Sequence, residues 1–281
     1  MCTIIVAHQI HPEADLIVAA NRDEFYSRRG SAPTLLKDDA ADRGPRIIAG
    51  LDSERGGTWM GANERALFAG ITNQRTWRVP DRELESRGLI VRGVLEAGEI
   101  PEALAFMRSI DARKYNDFNL LFGDTEHLFI AYGRRDAAKV ELVTLEPGLH
   151  VLANDRLLSP EFPKAKIAYR EAKKAVALPY KDTLRSLGAL LGSHILPEDR
   201  LIPAPPKGSP LSFELVRKLQ TLCVHTSAYG TVSATRLAAH QGELVHYEYA
   251  DGPPCKVAFE DVLGAFGDEG REAESVQAER A

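Results

Sequence analysis

At 281 residues, with 44% hydrophobic and 27% charged side chains, the chain has the composition of a folded, water-soluble protein and enough length to bury a core without staples. Its net charge of −5 argues against non-specific nucleic-acid binding, and three cysteines without a CxxC pair argue against a disulfide framework or a cysteine zinc site. No apolar run reaches about 18 residues and no basic segment precedes an apolar stretch, so a soluble, cytoplasmic protein without membrane insertion is expected.

Residues 3–7 and 16–20 are apolar, β-branched runs joined by a polar segment with Pro12, which predicts a β-hairpin. Neither run alternates cleanly, so both faces are expected to be covered. Short strands follow at 47–50 and 66–72, with Gly56, Gly57, Gly61 and Gly70 punctuating the stretch. Residues 86–97 and 101–107 carry helical spacing, with Pro101 suited to a first turn. Strands return at 118–122, 127–132, 140–145 and 148–153. A helical zone over 163–191 is expected to break near Pro179. Five prolines over 197–210 read as an extended loop, and 212–219 as a short helix. Strands at 231–238 and 243–249 flank a Gln241-Gly242 turn. The charged segment 267–281 is expected to be a disordered tail after one domain over 1–266. Grouped strands and grouped helices favour an α+β fold with antiparallel sheets.

Cys2 is the most informative residue. A small residue after Met1 favours removal of Met1, which leaves Cys2 with a free α-amine beside its thiol. The amine has a reference pKa of about 7.7–8.0 and the thiol one of about 8.5, so nucleophile and base can share one residue. Asn21-Arg22-Asp23-Glu24 follows the second apolar run, and four polar residues there need partners if they are buried. If the hairpin closes, Arg22 or Asp23 can hold the amine. Asn73 and Asn154 each end an apolar run, where an amide N–H can face a developing oxyanion. His8 and His11 lack helical context, so no metal site is predicted, and no cofactor is expected. Cys223 and Cys255 read as packing cysteines. Ser233 lies outside a G-x-S-x-G motif. The Gly56-Gly57 pair is followed by Thr58-Trp59 and reads as a turn that lets Trp59 pack.

Met1-Cys2, Ala20-Asn21-Arg22-Asp23-Glu24-Phe25, Ala49-Gly50-Leu51-Asp52, Gly56-Gly57-Thr58-Trp59-Met60-Gly61, Ile71-Thr72-Asn73, Ser86-Arg87-Gly88, Tyr115-Asn116-Asp117-Phe118-Asn119-Leu120 and Gly148-Leu149-His150-Val151-Leu152-Ala153-Asn154 occur in this order. Together they resemble the NRDE family, also called the transport and Golgi organisation protein 2 family, from position 1 to about 250. The resemblance implies an N-terminal nucleophile hydrolase-like fold, a four-layer αββα sandwich of two mainly antiparallel sheets flanked by helices. The family's N-terminal cysteine falls on Cys2. More distantly the chain is similar to penicillin V acylases and bile salt hydrolases, which cleave linear amides. Their Arg and Asp after the first hairpin have Arg22 and Asp23 as nearest counterparts, although here the two are adjacent and so face opposite sides of a strand. Asn154 resembles their oxyanion asparagine. The family's Gly-Thr-Arg-Ser-Ser-Thr segment appears as Gly230-Thr231-Val232-Ser233-Ala234-Thr235, with Arg236 four residues beyond Val232.

Two functions are therefore expected to compete. The first is a cysteine N-terminal nucleophile hydrolase acting on a non-peptide amide. Cys2, Arg22, Asp23 and Asn154 would be its catalytic residues, and Asn21, Asn73, Trp59 and Arg236 would support a small acyl amide substrate. The second is a non-catalytic carrier or trafficking module for haem or acyl lipid. The sequence leaves self-association open.

Overall fold

In the computed structural model, which describes residues 2–28, 30–36 and 44–266, strands and helices come in groups along the chain. The first group is β1 (Thr3–His11), β2 (Ala14–Phe25), β3 (Thr34–Leu36), β4 (Ile47–Ala49), β5 (Met60–Asn63) and β6 (Phe68–Asn73). Helices α1 (Gly88–Ala97) and α2 (Ile100–Ser109) follow, then β7 (Phe118–Gly123), β8 (Leu128–Gly133), β9 (Glu141–Leu145) and β10 (Gly148–Leu152). Next come α3 (Pro163–Ala175), α4 (Tyr180–Leu191) and α5 (Phe213–Lys218), then β11 (Tyr229–His240), β12 (Glu243–Ala250) and β13 (Glu260–Asp261).

The strands pair antiparallel into two sheets, ordered β10-β1-β2-β11-β12-β13 and β3-β4-β5-β6-β7-β8-β9. In the first sheet, Ile5, Ala7, Ile17 and Ala19 face α3 and α4. Their neighbours Ile4, Val6, Leu16 and Val18 face Phe68, Leu121 and Ile130 of the second sheet. The other side of the second sheet, with Leu120 and Phe122, is covered by Ile90, Val94 and Met107 of α1 and α2. The result is a four-layer αββα sandwich. Both central layers are covered on two sides, which is why their strands lack apolar–polar alternation.

Helix α3 approaches the sheet through small residues. Ala165, Ala168, Ala172 and Ala175 are buried at three- and four-residue spacing. The expected break near Pro179 falls between Ala175 and Tyr180, where α3 ends and α4 begins. The polar segment after residue 7 is not a loop. β1 continues to His11 through a register shift between His8 and His11, with Gln9 at φ 53°. The expectation also lacked β3, β5 and β13, which have three, four and two residues. Such short segments carry no periodicity and are strands only because a neighbour supplies the ladder. The charged segment 267–281 lies outside the described residues. No helix among the described residues is long and apolar enough to cross a membrane.

Phe68 is fully buried between the sheets. Phe68→Ala is expected to lower the unfolding free energy by about 3–5 kcal/mol. Urea titration should show the midpoint falling with the slope unchanged.

Candidate functional site

Strand register places Cys2. In β1 and β2, Thr3 opposes Asn21 and Ile4 opposes Ala20, while on the other edge Ile4 opposes Leu152 of β10. Running both registers on to residue 2 sets Cys2 opposite Arg22 on one side and Asn154 on the other. Opposed residues share a sheet face, and here it is the face between the two sheets. Arg22 is 8% exposed, and its guanidinium carbon lies 4.2 Å from the centre of the Trp59 ring. A Cβ on Gly50 would come within 2.4 Å of the Trp59 ring, so only glycine there lets the indole lie against β4. Cys2, Arg22, Trp59, Met60, Ile71 and Thr235 line a small cleft. Cys2 itself is half-buried.

Asp23, the next residue of β2, faces the opposite way, toward α3 and α4. Its Oδ1 accepts a 2.6 Å hydrogen bond from Thr231 Oγ1, and that hydroxyl accepts from the Val224 N–H at 2.9 Å. The Asp23 backbone N–H lies close enough to the Cys2 sulfur to favour its thiolate. Burial pushes the Cys2 thiol above its ordinary value, the charges of Asp23 and Glu24 push the same way, and the Asp23 N–H opposes them. Burial likewise raises the Asp23 carboxyl, against the Lys164 ammonium and the Thr231 hydrogen bond, which lower it. Burial thus favours the neutral thiol at this position, and the amino-terminal charge works against it.

Lys164 is the residue that sequence reasoning missed. It is the second residue of α3, only 1% exposed, and its Nζ has no hydrogen-bond partner among the described residues. Burial lowers its pKa, while Asp23 and Cys2 raise it. The sequence did carry a signal. Lys164 sits four and eight residues before Ala168 and Ala172, hence on the buried stripe of its own helix.

The other expected residues divide. Asn154 is 1% exposed and its amide donates to the Asn73 carbonyl at 2.7 Å, which leaves its second N–H for another acceptor. Asn73 contributes that carbonyl, and the residue itself is exposed. The Asn21 amide donates to the Leu191 and Leu222 carbonyls, both at 2.9 Å, and so clamps the end of α4 to β2. Arg236 lies away from the cleft. It pairs with Glu248, donates to the Leu184 carbonyl at 2.7 Å, and lies 4.1 Å over Phe259. Counting strand faces from Val232 fails because Val232 is the extra residue of a bulge. Thr231 opposes Asp23 while Ser233 opposes Arg22. Thr235, one position earlier, lines the cleft instead.

A family model described as Transport and Golgi organisation 2 matches residues 1–250. The chain is 30% identical over 254 residues to the human Transport and Golgi organization protein 2 homolog, covering 84% of this chain and 87% of that protein. Among solved structures it is similar to a C2A mutant of conjugated bile acid hydrolase from Clostridium perfringens, with TM-score 0.48 and 14% identity over 93% of this chain and 92% of that one. It is also similar to a Caenorhabditis elegans N-acylethanolamine-hydrolyzing acid amidase ortholog, with TM-score 0.49 and 12% identity over 84% and 92% of the two chains.

The lowered pKa of Lys164 has a measurable sign. Between its folded value and the unfolded value of about 10.4, the unfolded chain binds more protons, so stability rises with pH through that window. Lys164→Met removes the contribution. Urea titrations on approach to about pH 10 should show the parent protein gaining up to about 1.4 kcal/mol per pH unit relative to Lys164→Met. Parallel slopes would show that the ammonium is solvated in the folded protein.

Proposed function

We propose a function from the premise that this chain belongs to the Transport and Golgi organisation 2 family: it is a cysteine amidohydrolase whose nucleophile is the Cys2 thiol, freed by removal of Met1, and whose substrate is a small acyl amide. The observation that carries the reading is that Cys2 and Arg22 line one cleft.

The chemistry follows from the neighbours. The α-amine of Cys2 takes the thiol proton as sulfur attacks the amide carbonyl. The carbonyl oxygen becomes an oxyanion, which accepts the second N–H of Asn154. Collapse breaks the carbon–nitrogen bond, and the α-ammonium passes its proton to the departing amine. A thioester remains on Cys2. Water, giving its proton to the same α-amine, attacks the thioester, releases the carboxylic acid and restores the thiol.

Arg22, held flat on Trp59, offers a cation to a polar group of the substrate, while Ile4, Met60 and Ile71 provide an apolar wall for the acyl part. Asp23 and Lys164 share the task of holding the amine and setting its charge from behind. The carrier alternative gives the thiol and the buried lysine no task.

A thiol-directed acylating probe should label the protein at Cys2. Labelling should disappear in Cys2→Ala and in a variant whose second residue prevents Met1 removal. Equal labelling of Cys2→Ala would sink the proposal. With an amide substrate, Asn154→Ala should lose about 2.7–4 kcal/mol of transition-state stabilisation, read as a fall in kcat of about 100- to 1,000-fold with KM little changed.

A further inference from the structure

A second group of reactive side chains lies behind the sheet. His194 follows α4, Cys223 and His225 precede β11, and Cys255 follows β12. One ligand atom from each of the four lies within 4.8 Å of the other three. Cys223 Sγ is 3.5 Å from Cys255 Sγ and 3.6 Å from His225 Nε2, and His225 Nε2 is 3.3 Å from Cys255 Sγ.

We propose that His194, Cys223, His225 and Cys255 form a tetrahedral metal site of the zinc class. Zinc holds sulfur at about 2.3 Å and imidazole nitrogen at about 2.0–2.1 Å, so the edges of its coordination tetrahedron run from about 3.4 to 3.8 Å. The three separations among Cys223, His225 and Cys255 fall at or near that range. His194 offers the fourth ligand atom, within 4.8 Å of the other three.

Orientation supports the assignment. His194 Nδ1 lies 3.1 Å from the Cys223 carbonyl, which can only accept, so the ring proton sits on Nδ1 and Nε2 keeps its lone pair. The ligand of one corner thus orients the ligand of another. The Cys223 N–H in turn donates to the Ser193 carbonyl at 3.0 Å, tying the same two segments again. A Cβ at Gly192 would lie 3.2 Å from the Cys255 backbone nitrogen, so glycine lets the third segment approach. Binding a divalent cation releases the two thiol protons, and the two thiolates then balance its charge.

Chain order hides the group. His194 and Cys223 are 29 residues apart, and His225 and Cys255 are 30 apart. This departs from the expectation of packing cysteines and no metal. The ion would pin the end of α4, the 223–225 segment and the turn after β12. Val224, between two ligands, donates to the Thr231 hydroxyl that holds Asp23, so the metal would brace the candidate site from behind.

The test uses the full chain, reduced and incubated with zinc chloride alone, then desalted. Elemental analysis is expected to find one zinc per chain, and cobalt substituted in its place should give the visible bands of tetrahedral thiolate coordination. Cys255→Ser and His225→Ala, both at exposed positions and each checked by circular dichroism for an unchanged fold, should lose the metal and the cobalt spectrum. Failure of the reduced parent protein to retain zinc would overturn the site. So would unchanged retention in the Cys223→Ser/Cys255→Ser double variant. So would an anaerobically purified chain two hydrogens lighter, with Cys223 and Cys255 joined.

Discussion

Everything at the candidate site depends on one constraint: the first strand of the chain is paired on both edges. With β2 on one side and β10 on the other, β1 cannot slip by a residue without turning Ile4 and Val6 out of the inter-sheet core. Its start is thereby held as firmly as its middle. Residue 2 inherits that position at the mouth of the sandwich, between a cation from one neighbour and an amide from the other. The ladder sets the position of residue 2, while Trp59 and Asn154 join it from segments just outside the strands.

The second feature of the site is its division between two faces. Adjacent residues on β2 send one charge into the cleft and the other into the helical layer. Arg22 meets an aromatic ring, while Asp23 meets a hydroxyl and lies within electrostatic reach of a buried lysine. Buried charges of this kind add little net stability, and stranding one of them typically costs about 3–5 kcal/mol. Their presence beside the Cys2 thiol therefore adds little to folding stability. The helix that carries Lys164 presents alanines along the rest of its buried stripe, so the lysine is an exception in an otherwise small and apolar face.

Much of this was legible in the sequence. The long strands, the helical zones and the αββα arrangement follow from apolar runs and from motifs spread over most of the chain. Cys2, Arg22, Asp23 and Asn154 became candidates only when their positions beside apolar runs were joined to the family resemblance. Arg236 misled because a bulge at Val232 shifts face parity, and no local pattern announces a bulge. Lys164 went unread because charge in a helix normally means a solvated face. The cysteine–histidine group was hidden because its members come from three segments that only the tertiary fold brings together. These misses share a cause: each depends on which strands and helices become neighbours, which single-segment patterns do not encode.

The pairing of β2 with β11 also sets a timetable. Asp23 and its partner Thr231 are 208 residues apart. At a synthesis rate of about 5–20 residues per second, the ribosome needs roughly 10–40 s to deliver the strand that covers the outer edge of β2. During that interval the nascent first hairpin has no completed sheet around it. The same delay leaves an apolar hairpin exposed for its duration, so this protein should lean on chaperones during synthesis more than its finished core implies.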